Sequence, residues 1–450
     1  MRVYANLQIF LVLFTVIFLS GCSSLGEYGD AFGRYNIFRG YGTPWGDAAN
    51  TGVVTDNPDS IPDIGWQTPG QRKVLAQQNA ALKAPETAAS PEAKEDDAAM
   101  PRRKATVTLL LPLSGKKSEL GQSMLKAAQM ALFDIGSANF ELVPRDTKST
   151  KEGAAAAAAA AVGNRDDLIL GPVFAEDLKL VKLAVRASGT PVISFTTDWT
   201  LAGDDAYIMG FLPFLQVTRV AKYTAAMGYS KFAVYAPQTE YCDAVIRTLQ
   251  NSGVAIVHVN RYSSRQTDLS DLVQDFAATS RSDPASGLLD FDTLLLPLGS
   301  EGLRSLVTLL DSNGITQPEV KFIGTGLWDD AKLTSDPALF GGWFAAPDPA
   351  LRADFEKRFS ENFGEPPLRL SSLAYDATAL AAVLARSSYG DASPYTRETL
   401  TNPRGFAGID GIFRFRPDGL SERGLAMLEI QSGRTRVIDP APTAFIAPES

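Results

Sequence analysis

Histidine and cysteine are nearly absent from this chain of 450 residues, which has one histidine, His258, and two cysteines, Cys22 and Cys242. Soft-ligand metal sites need clusters of these side chains. Carboxylate sites for hard cations stay open as an alternative, although no calcium-loop spacing is present. His258 lies within an alternating apolar stretch. No serine or cysteine nucleophile motif accompanies it, which favours a structural histidine over a general base. We therefore predict no metal, no cofactor and no catalytic residue.

Positive charge and phosphate-binding loops are also lacking. The chain has 42 Lys and Arg against 51 Asp and Glu, a net charge of -9, and its short basic cluster at Arg102–Lys104 is typical of a solvated linker end. Nucleic-acid binding needs a basic stripe that neutralises phosphates, so nucleic acid is excluded as a partner. Gly324-Thr-Gly326 lacks the third glycine of a dinucleotide-binding turn, and no lysine-bearing phosphate loop is present.

Long hydrophobic runs are missing as well. The apolar stretch Ile9–Leu19 is too short to span a bilayer comfortably and ends in Ser20-Gly21-Cys22, which is typical of a secretory signal. Leu19–Cys22 resembles the lipobox of bacterial lipoproteins. That resemblance implies a signal peptide over 1–21 and acyl chains on Cys22 that anchor the chain stably. Ser23 and Ser24, with no aspartate after the cysteine, resemble lipoproteins of the outer membrane. The alternative is an ordinary signal peptide with a chance cysteine.

Two segments show little hydrophobic periodicity. Residues 22–104 are predicted to be a flexible linker, because Ala80–Ala99 is rich in alanine, proline and charge. As a coil this linker has an end-to-end distance on the order of 50 Å. Phe38–Trp45 is rich in glycine and aromatics, and either a partner-binding segment or plain linker fits it, with linker favoured. Residues 438–450 contain three prolines and are predicted to be disordered.

From Ala105 onward, short apolar strands alternate with amphipathic helices. The first predicted strands are Ala105–Pro112, Phe140–Pro144, Leu168–Pro172 and Pro191–Phe195. Ser149–Glu152 has the spacing of a capping box that opens an all-alanine helix, Ala154–Ala161. Buried strands that alternate with helices predict a parallel sheet covered on both faces. Such sheets bind ligands at the carboxyl ends of their strands.

The same pattern is repeated further along the chain. Strands are predicted at Lys231–Pro237, Val254–Val259, Phe291–Leu298 and Val320–Gly324, and closing strands at Phe406–Phe415 and Ala426–Gln431, paired with each other. The predicted fold class is therefore α/β, with two doubly wound parallel-sheet lobes joined by a hinge. Lobe 1 is predicted to contain residues 105–213 and 347–404, and lobe 2 residues 214–346 and 405–437.

Six phrases in order resemble the type I periplasmic binding proteins, and more closely their leucine/isoleucine/valine-binding branch. They are Leu110–Gly115, Gly121-Gln with Ala127–Ala131, Leu170–Pro172, Pro191–Ser194, Leu373–Ala377 and Gly408–Phe413. The resemblance covers residues 105–437. The lipobox, the linker and Val143–Thr147 are further similar to the penicillin-binding protein activators. These are outer-membrane lipoproteins that stimulate bifunctional peptidoglycan synthases, the class A penicillin-binding proteins.

The resemblance implies a ligand cleft between the lobes. Its expected lining is Ser114, Phe174, Ser194, Thr196, Thr197, Tyr241, Ser300 and Trp328. In the amino-acid binders one lobe holds the ligand carboxylate and the other offers an acid to its ammonium group. Here Ala175 replaces a usual serine, Asp198 repels a carboxylate, and Asp329 and Asp330 come later than the expected acid. Burial of an unpaired charge costs several kcal/mol, so these departures weaken the case for amino-acid binding.

Two functions remain open from the sequence. The first is a non-enzymatic lipoprotein, anchored in the outer membrane and facing the periplasm, that binds and stimulates a class A penicillin-binding protein. The alternative is an amino-acid substrate-binding protein, of the branched-chain type, that serves an ABC transporter. The anchor, the linker and the altered cleft favour the first, and the shared fold favours the second. An enzyme has no sequence motif in its favour.

Overall fold

The computed structural model describes residues 104–136, 139–281, 287–387 and 392–445. The predicted signal peptide, the lipidated Cys22, nearly all of the linker and the last five residues of the tail lie outside these ranges. Within them, no helix combines the length and the apolar character that a membrane crossing requires.

The first lobe is built on a sheet of five parallel strands, as far as the described residues extend, in the order β2-β1-β3-β4-β5. The strands are β1 Ala105–Leu111, β2 Phe140–Asp146, β3 Leu168–Leu170, β4 Val192–Ser194 and β5 Ala206–Ile208. The helices between them are α1 Ser118–Ile135, α2 Lys151–Gly163 and α3 Ala175–Val185. Every residue of β3, β4 and β5 is buried, as expected for parallel strands covered on both faces.

The second lobe repeats this plan on a larger sheet. Its helices are α4 Pro213–Ala226, α5 Glu240–Gln250, α6 Ser270–Thr279 and α7 Ser300–Ser312, and its first strands are β6 Lys231–Pro237, β7 Ala255–Tyr262, β8 Thr293–Leu295, β9 Lys321–Gly324 and β10 Trp343–Ala346. Short 3-10 turns at Gly326–Trp328, Ala331–Ser335 and Pro337–Leu339 connect β9 to β10. These five strands are mutually parallel where they pair.

After β10 the chain returns to the first lobe through α8 Pro349–Phe363, α9 Ser371–Ser387 and the short α10 Arg397–Leu400. Phe355 of α8 packs edge-on against Tyr375 of α9, and α9 lies beside β2 and β3. The prediction of two parallel-sheet lobes, with late segments that revisit the first, is confirmed.

The closing strands differ from the prediction. β11 Phe406–Gly408, β12 Gly411–Phe415 and β13 Ser421–Arg423 form a separate antiparallel sheet, which a bridge between Ile208 and Leu420 attaches to β5. β14 Ala426–Gln431 pairs with β10, and β15 Arg434–Asp439 pairs with β14 at the edge of the second sheet. The predicted pairing of 406–415 with 426–431 is therefore wrong, because the first of these segments folds back on itself as a hairpin.

This strand placement also shifts the lobe limits. Residues 406–423 lie beside the first lobe, and of the closing strands only β14 and β15 join the second sheet, whereas the sequence predicts all of 405–437 in lobe 2. β15 reaches Asp439, so the predicted disordered tail begins inside a strand. The chain crosses between the lobes after β5, after β10 and after β13.

The alanine helix α2 shows how the sequence produces this packing. Ala154, Ala158 and Ala161 have no exposed surface and pack in one apolar cluster with Leu110 of β1 and Ile169 of β3. Side chains this small allow the helix to lie close to the sheet. Its cap is one residue later than predicted, because the Thr150 hydroxyl, not that of Ser149, accepts the Gly153 N–H at 3.0 Å.

Candidate functional site

The first wall of the predicted cleft consists of loops at the carboxyl ends of β1, β3 and β4. Ser114, after β1, is exposed, and its hydroxyl donates to Asp146 Oδ2 at 2.6 Å while its N–H donates to Oδ1 at 3.1 Å. Burial acts to raise the pKa of Asp146. The hydrogen bonds from Ser114 and from the Lys148 N–H outweigh it and hold that pKa below its usual value. Ser114 therefore donates its hydrogen bonds to a carboxylate of its own lobe.

The predicted hydroxyls after β4 have different surroundings. Ser194 is fully buried and donates to the Pro172 carbonyl at 2.8 Å, so it joins two loops of the wall. Thr196 is buried and its hydroxyl accepts the Asp198 N–H at 3.1 Å, whereas the neighbouring Thr197 is exposed. Asp198 accepts from the Thr200 N–H and hydroxyl, which places its carboxylate at the start of the following 3-10 turn. Thr197 is the hydroxyl left at the surface here.

Helix α3 begins in the same wall. Phe174 is its N-cap, makes no side-chain capping bond and is half-buried, so the first N–H groups of the helix have no side-chain cap. A helix N-terminus favours a negatively charged group. Asp177, in the first turn, is buried, and burial followed by the charges of Glu152 and Glu176 raises its pKa. Glu176 pairs with Lys179 at 2.6 Å.

The second wall is formed by α4, α5 and the end of β9. The Tyr241 hydroxyl donates to Thr325 Oγ1 at 2.8 Å, and burial raises the pKa of Tyr241 to about 12. Gln216 accepts the Gly326 N–H at 2.7 Å. Ser300 is half-buried at the start of α7. The segment where the ammonium-binding acid was expected, Thr325–Leu327, thus carries neutral groups bonded to other parts of the same wall.

Trp328 does not line this wall. Its ring is fully buried in the core of the second lobe beside Phe344, and its indole N–H donates to the Leu296 carbonyl at 3.1 Å. A Cβ added at Gly324 would lie 2.2 Å from the Trp328 ring, so the glycine makes room for it. The sequence position after β9 suggested the cleft, but the 3-10 turn that begins at Gly326 directs the ring inward.

Asp329 follows Trp328, and its surroundings were not foreseen. Its side chain is only 9% exposed and is held by Arg352 of α8 in a two-point pair, with Arg352 Nη2 at 2.9 Å from Asp329 Oδ1 and Nη1 on Oδ2. Arg369 Nε lies 3.5 Å from Asp329 Oδ2. Asp330 instead caps the next 3-10 turn, where its side chain accepts the Lys332 N–H.

A cluster of buried charges continues from Arg369. Arg369 Nη2 lies 3.0 Å from Asp410 Oδ1, and the Ser372 hydroxyl donates to Asp410 Oδ2 at 2.6 Å. Asp376 accepts the Ile409 N–H at 2.7 Å. Arg423 donates to the Met209 carbonyl in the first crossover at 3.0 Å. Asp376 and Asp410 lie in phrases that carry the family resemblance, but no sequence signal connects either of them to Arg369 or Arg423.

His258 and Cys242 occupy structural positions. His258 Nε2 lies 2.7 Å from Asp290 Oδ1, and its ring packs edge-on against Phe276 and Phe291. The Cys242 thiol is buried, and burial raises its pKa. In the described ranges, no group of three or more His, Cys, Asp or Glu side chains is placed to hold a metal ion.

A pocket of about 400 Å³ lies at the opposite edge of the second sheet, where β9 and β10 begin. Its lining includes Ile315, Gln317, Lys321 and Phe340. The Lys321 ammonium donates to the Gly341 carbonyl at 2.8 Å and lies 4.2 Å from the centre of the Trp343 ring. None of the predicted cleft residues lines this pocket.

The family model for periplasmic binding proteins matches residues 104–435. A putative branched-chain amino acid ABC transporter protein from Rhodospirillum rubrum is similar over 74% of this chain and 99% of its own, with 18% identity and a TM-score of 0.64. A Desulfitobacterium hafniense substrate-binding protein in complex with Leu is similar over 74% and 99%, with 17% identity and a TM-score of 0.57.

Two further similar proteins are a solute-binding protein with a different ligand and a relative found by sequence. A Rhodopseudomonas palustris solute-binding protein in complex with 3,4-dihydroxybenzoic acid is similar over 75% of this chain and 96% of its own, with 15% identity and a TM-score of 0.54. An uncharacterized protein of Rickettsia prowazekii is 22% identical over 150 residues, which is 33% of this chain and 40% of that relative. The two-lobed fold and the family match lead to one conclusion: the chain belongs to the periplasmic binding protein family, whose members lie in the periplasm and bind ligands without catalysis.

Proposed function

We propose that this protein is a periplasmic solute receptor whose lobes close on a small ligand, as in the substrate-binding proteins of ABC transporters. The main support is the fold: similar solved structures, which extend over about three quarters of the chain, include proteins that hold leucine or a benzoic acid. The cleft loops at the carboxyl ends of β1, β3, β4 and β9 are the position where such sheets bind ligands.

The chemistry of the walls favours an organic acid over an amino acid. The first wall offers the α3 N-terminus, the half-buried Phe174 ring and the exposed Thr197 hydroxyl. The second wall presents Tyr241 and Thr325, bonded to each other, where an ammonium group would need an acid. Asp329 is bound by Arg352. A ligand with a carboxylate and an apolar or aromatic body fits these groups, because Asp198, which would repel a carboxylate, is bonded to the Thr200 N–H and hydroxyl. A zwitterion would leave its ammonium group unpaired at high cost.

A thermal-shift titration tests this proposal. Benzoate, 4-methylpentanoate and leucine are added in turn to the mature chain, where 4-methylpentanoate is leucine without its amino group. We expect saturable stabilisation by at least one acid and none by leucine, because a ligand that binds only the folded state raises its stability. Phe174→Ala and Thr197→Ala should weaken the effect, while Thr308→Ala, an exposed threonine of α7, should leave it unchanged. Equal stabilisation by leucine would contradict the ligand class.

A second candidate function is supported by two different observations. The lipobox at Cys22 and the linker that follows it resemble the activators of peptidoglycan synthases, and the acid nearest the expected ammonium site is engaged by the protein's own arginines. In this function the protein is anchored in the outer membrane through Cys22 and binds a class A penicillin-binding protein. The lobes then provide a binding surface and need no solute.

A pull-down with purified class A penicillin-binding proteins tests the second candidate. The mature chain with Cys22→Ser, which removes the lipid, is immobilised and the synthase is passed over it. We expect retention of the synthase and faster glycan polymerisation when the protein is added. Retention without solute stabilisation supports the activator, and solute stabilisation without retention supports the receptor. A protein that does neither would contradict both functions.

A further inference from the structure

The ion pairs of Asp329 join the two lobes. Asp329 follows β9 in the second lobe, whereas Arg352 lies in α8 and Arg369 lies between α8 and α9, both in the first lobe. We propose that these three residues form a latch that holds the lobes closed when no solute is bound. The latch concerns the ligand-free protein, so it stands or falls independently of the proposed solute.

The geometry of the latch is that of a strong contact. Two guanidinium nitrogens of Arg352 meet the two carboxylate oxygens of Asp329, and both side chains are largely buried, at 17% and 9% exposure. Burial alone lowers the pKa of Arg352, but the hydrogen bond and charge of Asp329, together with Asp410 and Glu356, raise it above its usual value. Two-point arginine–carboxylate pairs combine strength with a fixed orientation. Partial burial also protects this pair from screening by salt.

One residue of the latch, Arg369, also contacts the crossover between the lobes. The Arg369 guanidinium lies 4.2 Å from the centre of the Phe211 ring, and Phe211 belongs to the crossover between β5 and α4. Arg423 lies 5.1 Å from the same ring and donates to Met209 in that crossover. Arg369 is also paired with Asp410 beside the first lobe. When the lobes separate, Arg369 therefore keeps partners on the first-lobe side, while Asp329 loses both of its arginines.

This arrangement makes the closed form the resting state. A binding protein without such a contact closes when its solute bridges the two walls. Here a carboxylate of the second lobe and guanidinium groups of the first lobe already provide such a bridge. Loss of the bridge leaves Asp329 as a partly buried charge without a partner, which strongly favours its hydration and the opening of the lobes. Asp329 thus acts as an internal ligand that sets the ratio of closed to open molecules before any solute binds.

Distance measurement between two spin labels tests the latch. Labels are attached to Lys151→Cys on α2 and Ser305→Cys on α7, both exposed positions, in the ligand-free mature chain with Cys22→Ser. Cys242 is buried and is not expected to react with the label. We expect a narrow interlobe distance distribution in this background. Asp329→Asn, which keeps the side-chain shape, should shift molecules toward longer distances and raise the open-to-closed ratio about tenfold or more.

Glu356→Gln is the matched control. Glu356 also contacts Arg352, at 3.3 Å from Nε, but it lies on α8 itself and bridges no lobes. This variant should keep the narrow distribution. Arg352→Lys, which keeps the charge but loses two-point contact, provides a second variant with an intermediate shift in case Asp329→Asn fails to fold, as checked by circular dichroism. An unchanged distribution in folded Asp329→Asn, or an equal shift in Glu356→Gln, would overturn the latch.

Discussion

At the scale of single residues, the two buried carboxyl groups of Asp376 and Asp410 have pKa values shifted in opposite directions. Burial, followed by the charge of Asp410, raises the pKa of Asp376 to about 7, and its Oδ2 has no hydrogen-bond partner. Burial acts to raise the pKa of Asp410 as well, but Arg369, Arg423 and the Ser372 hydroxyl hold it below its usual value. Asp410 therefore carries the charge of the pair, and Asp376 is protonated at mildly acidic pH.

This division predicts a pH dependence of stability. The pKa of Asp376 is raised on folding, so between about pH 4 and about pH 7 the folded state holds a proton that the unfolded state has released, and stability falls as pH rises through that window. Asp376→Asn removes this titration. Its free energy of unfolding relative to the unsubstituted protein should rise by an amount on the order of 2 kcal/mol from about pH 5 to about pH 8. Urea unfolding at several pH values measures this difference.

Asp271→Asn is the control for that experiment, because Asp271 is an exposed aspartate in the first turn of α6. Its unfolding profile should run parallel to that of the unsubstituted protein. A constant difference between Asp376→Asn and the unsubstituted protein over the same pH range would show that Asp376 does not hold the proton.

Gly121 leads to a second prediction at this scale. A Cβ added at Gly121 would lie 2.1 Å from the Pro112 carbonyl oxygen, so helix α1 meets the end of β1 at a distance that only glycine allows. Gly121→Ala should destabilise the protein by about 1–3 kcal/mol or more, as measured by thermal unfolding, because backbone must move. Gly163→Ala is the matched control, since a Cβ there meets nothing within 4 Å and should leave stability nearly unchanged. Equal melting temperatures for the two variants would contradict this packing.

The residue scale also shows where sequence reasoning ends. His258 was predicted to be structural, and it pairs with Asp290, while the buried Cys242 thiol lies against the Pro297 carbonyl. Arg352, Arg369 and Arg423 were not singled out, because their partners are supplied by segments that meet only when the chain has crossed between the lobes. A charge pattern along the sequence does not reveal such a pairing.

At the scale of elements, hydrophobic pattern predicted most of the strands and helices. Buried parallel strands such as β1 and β9 have nearly continuous apolar faces, and their positions were found within a few residues. The strands that were missed are short or polar: β5, β10, β13 and the edge strand β15, four of whose six residues are polar or charged. The predicted pairing of the closing strands was wrong because a pattern of apolar residues identifies a strand but does not identify the strand it pairs with. Gly411, at φ 82°, begins the return strand of a hairpin instead.

The cap of α2 gives a prediction at the element scale. Thr150 is extended at φ -134° and accepts the Gly153 N–H, so Thr150→Ala removes a capping bond from a helix that packs directly on the first sheet. The expected loss is about 1 kcal/mol of unfolding free energy, measured by urea denaturation. Lys151→Ala, at the next and exposed position, should change stability by less than about 0.5 kcal/mol. A larger loss in Lys151→Ala than in Thr150→Ala would contradict the assignment of the cap.

At the scale of the whole molecule, the two-lobed plan was predictable, whereas the cleft was predictable only in part. Strands and helices alternate in two successive stretches of the sequence, and this repeated pattern was sufficient to predict two lobes. Placement of the cleft loops after β1, β3, β4 and β9 followed from the same rule. The orientation of individual side chains did not follow: Trp328 is in the core, and Ser114 binds Asp146. Those outcomes depend on local turns that a spacing argument does not resolve.

The amino terminus gives a prediction that tests the anchor alone. If Cys22 is lipidated, the protein fractionates with the outer membrane, and Cys22→Ala should be released from it because several acyl chains are lost together. Cell fractionation followed by immunodetection measures the distribution. Cys242→Ala, which removes the buried thiol of α5, should leave it unchanged. A Cys22→Ala protein that remains in the outer-membrane fraction would show that the resemblance to the lipobox is misleading.

The latch and the solute site are coupled through the same closure of the lobes. If a solute binds the closed form, its apparent dissociation constant equals the intrinsic value divided by the closed fraction. Asp329→Asn lowers that fraction, so an acid that stabilises the unsubstituted protein should bind the variant about tenfold more weakly in a calorimetric titration. Glu356→Gln should retain the original affinity, because Glu356 contacts Arg352 from within α8 and does not join the two lobes. Tighter binding by Asp329→Asn would show instead that the ion pair must break before a solute enters, which would make Asp329 a competitor of the ligand.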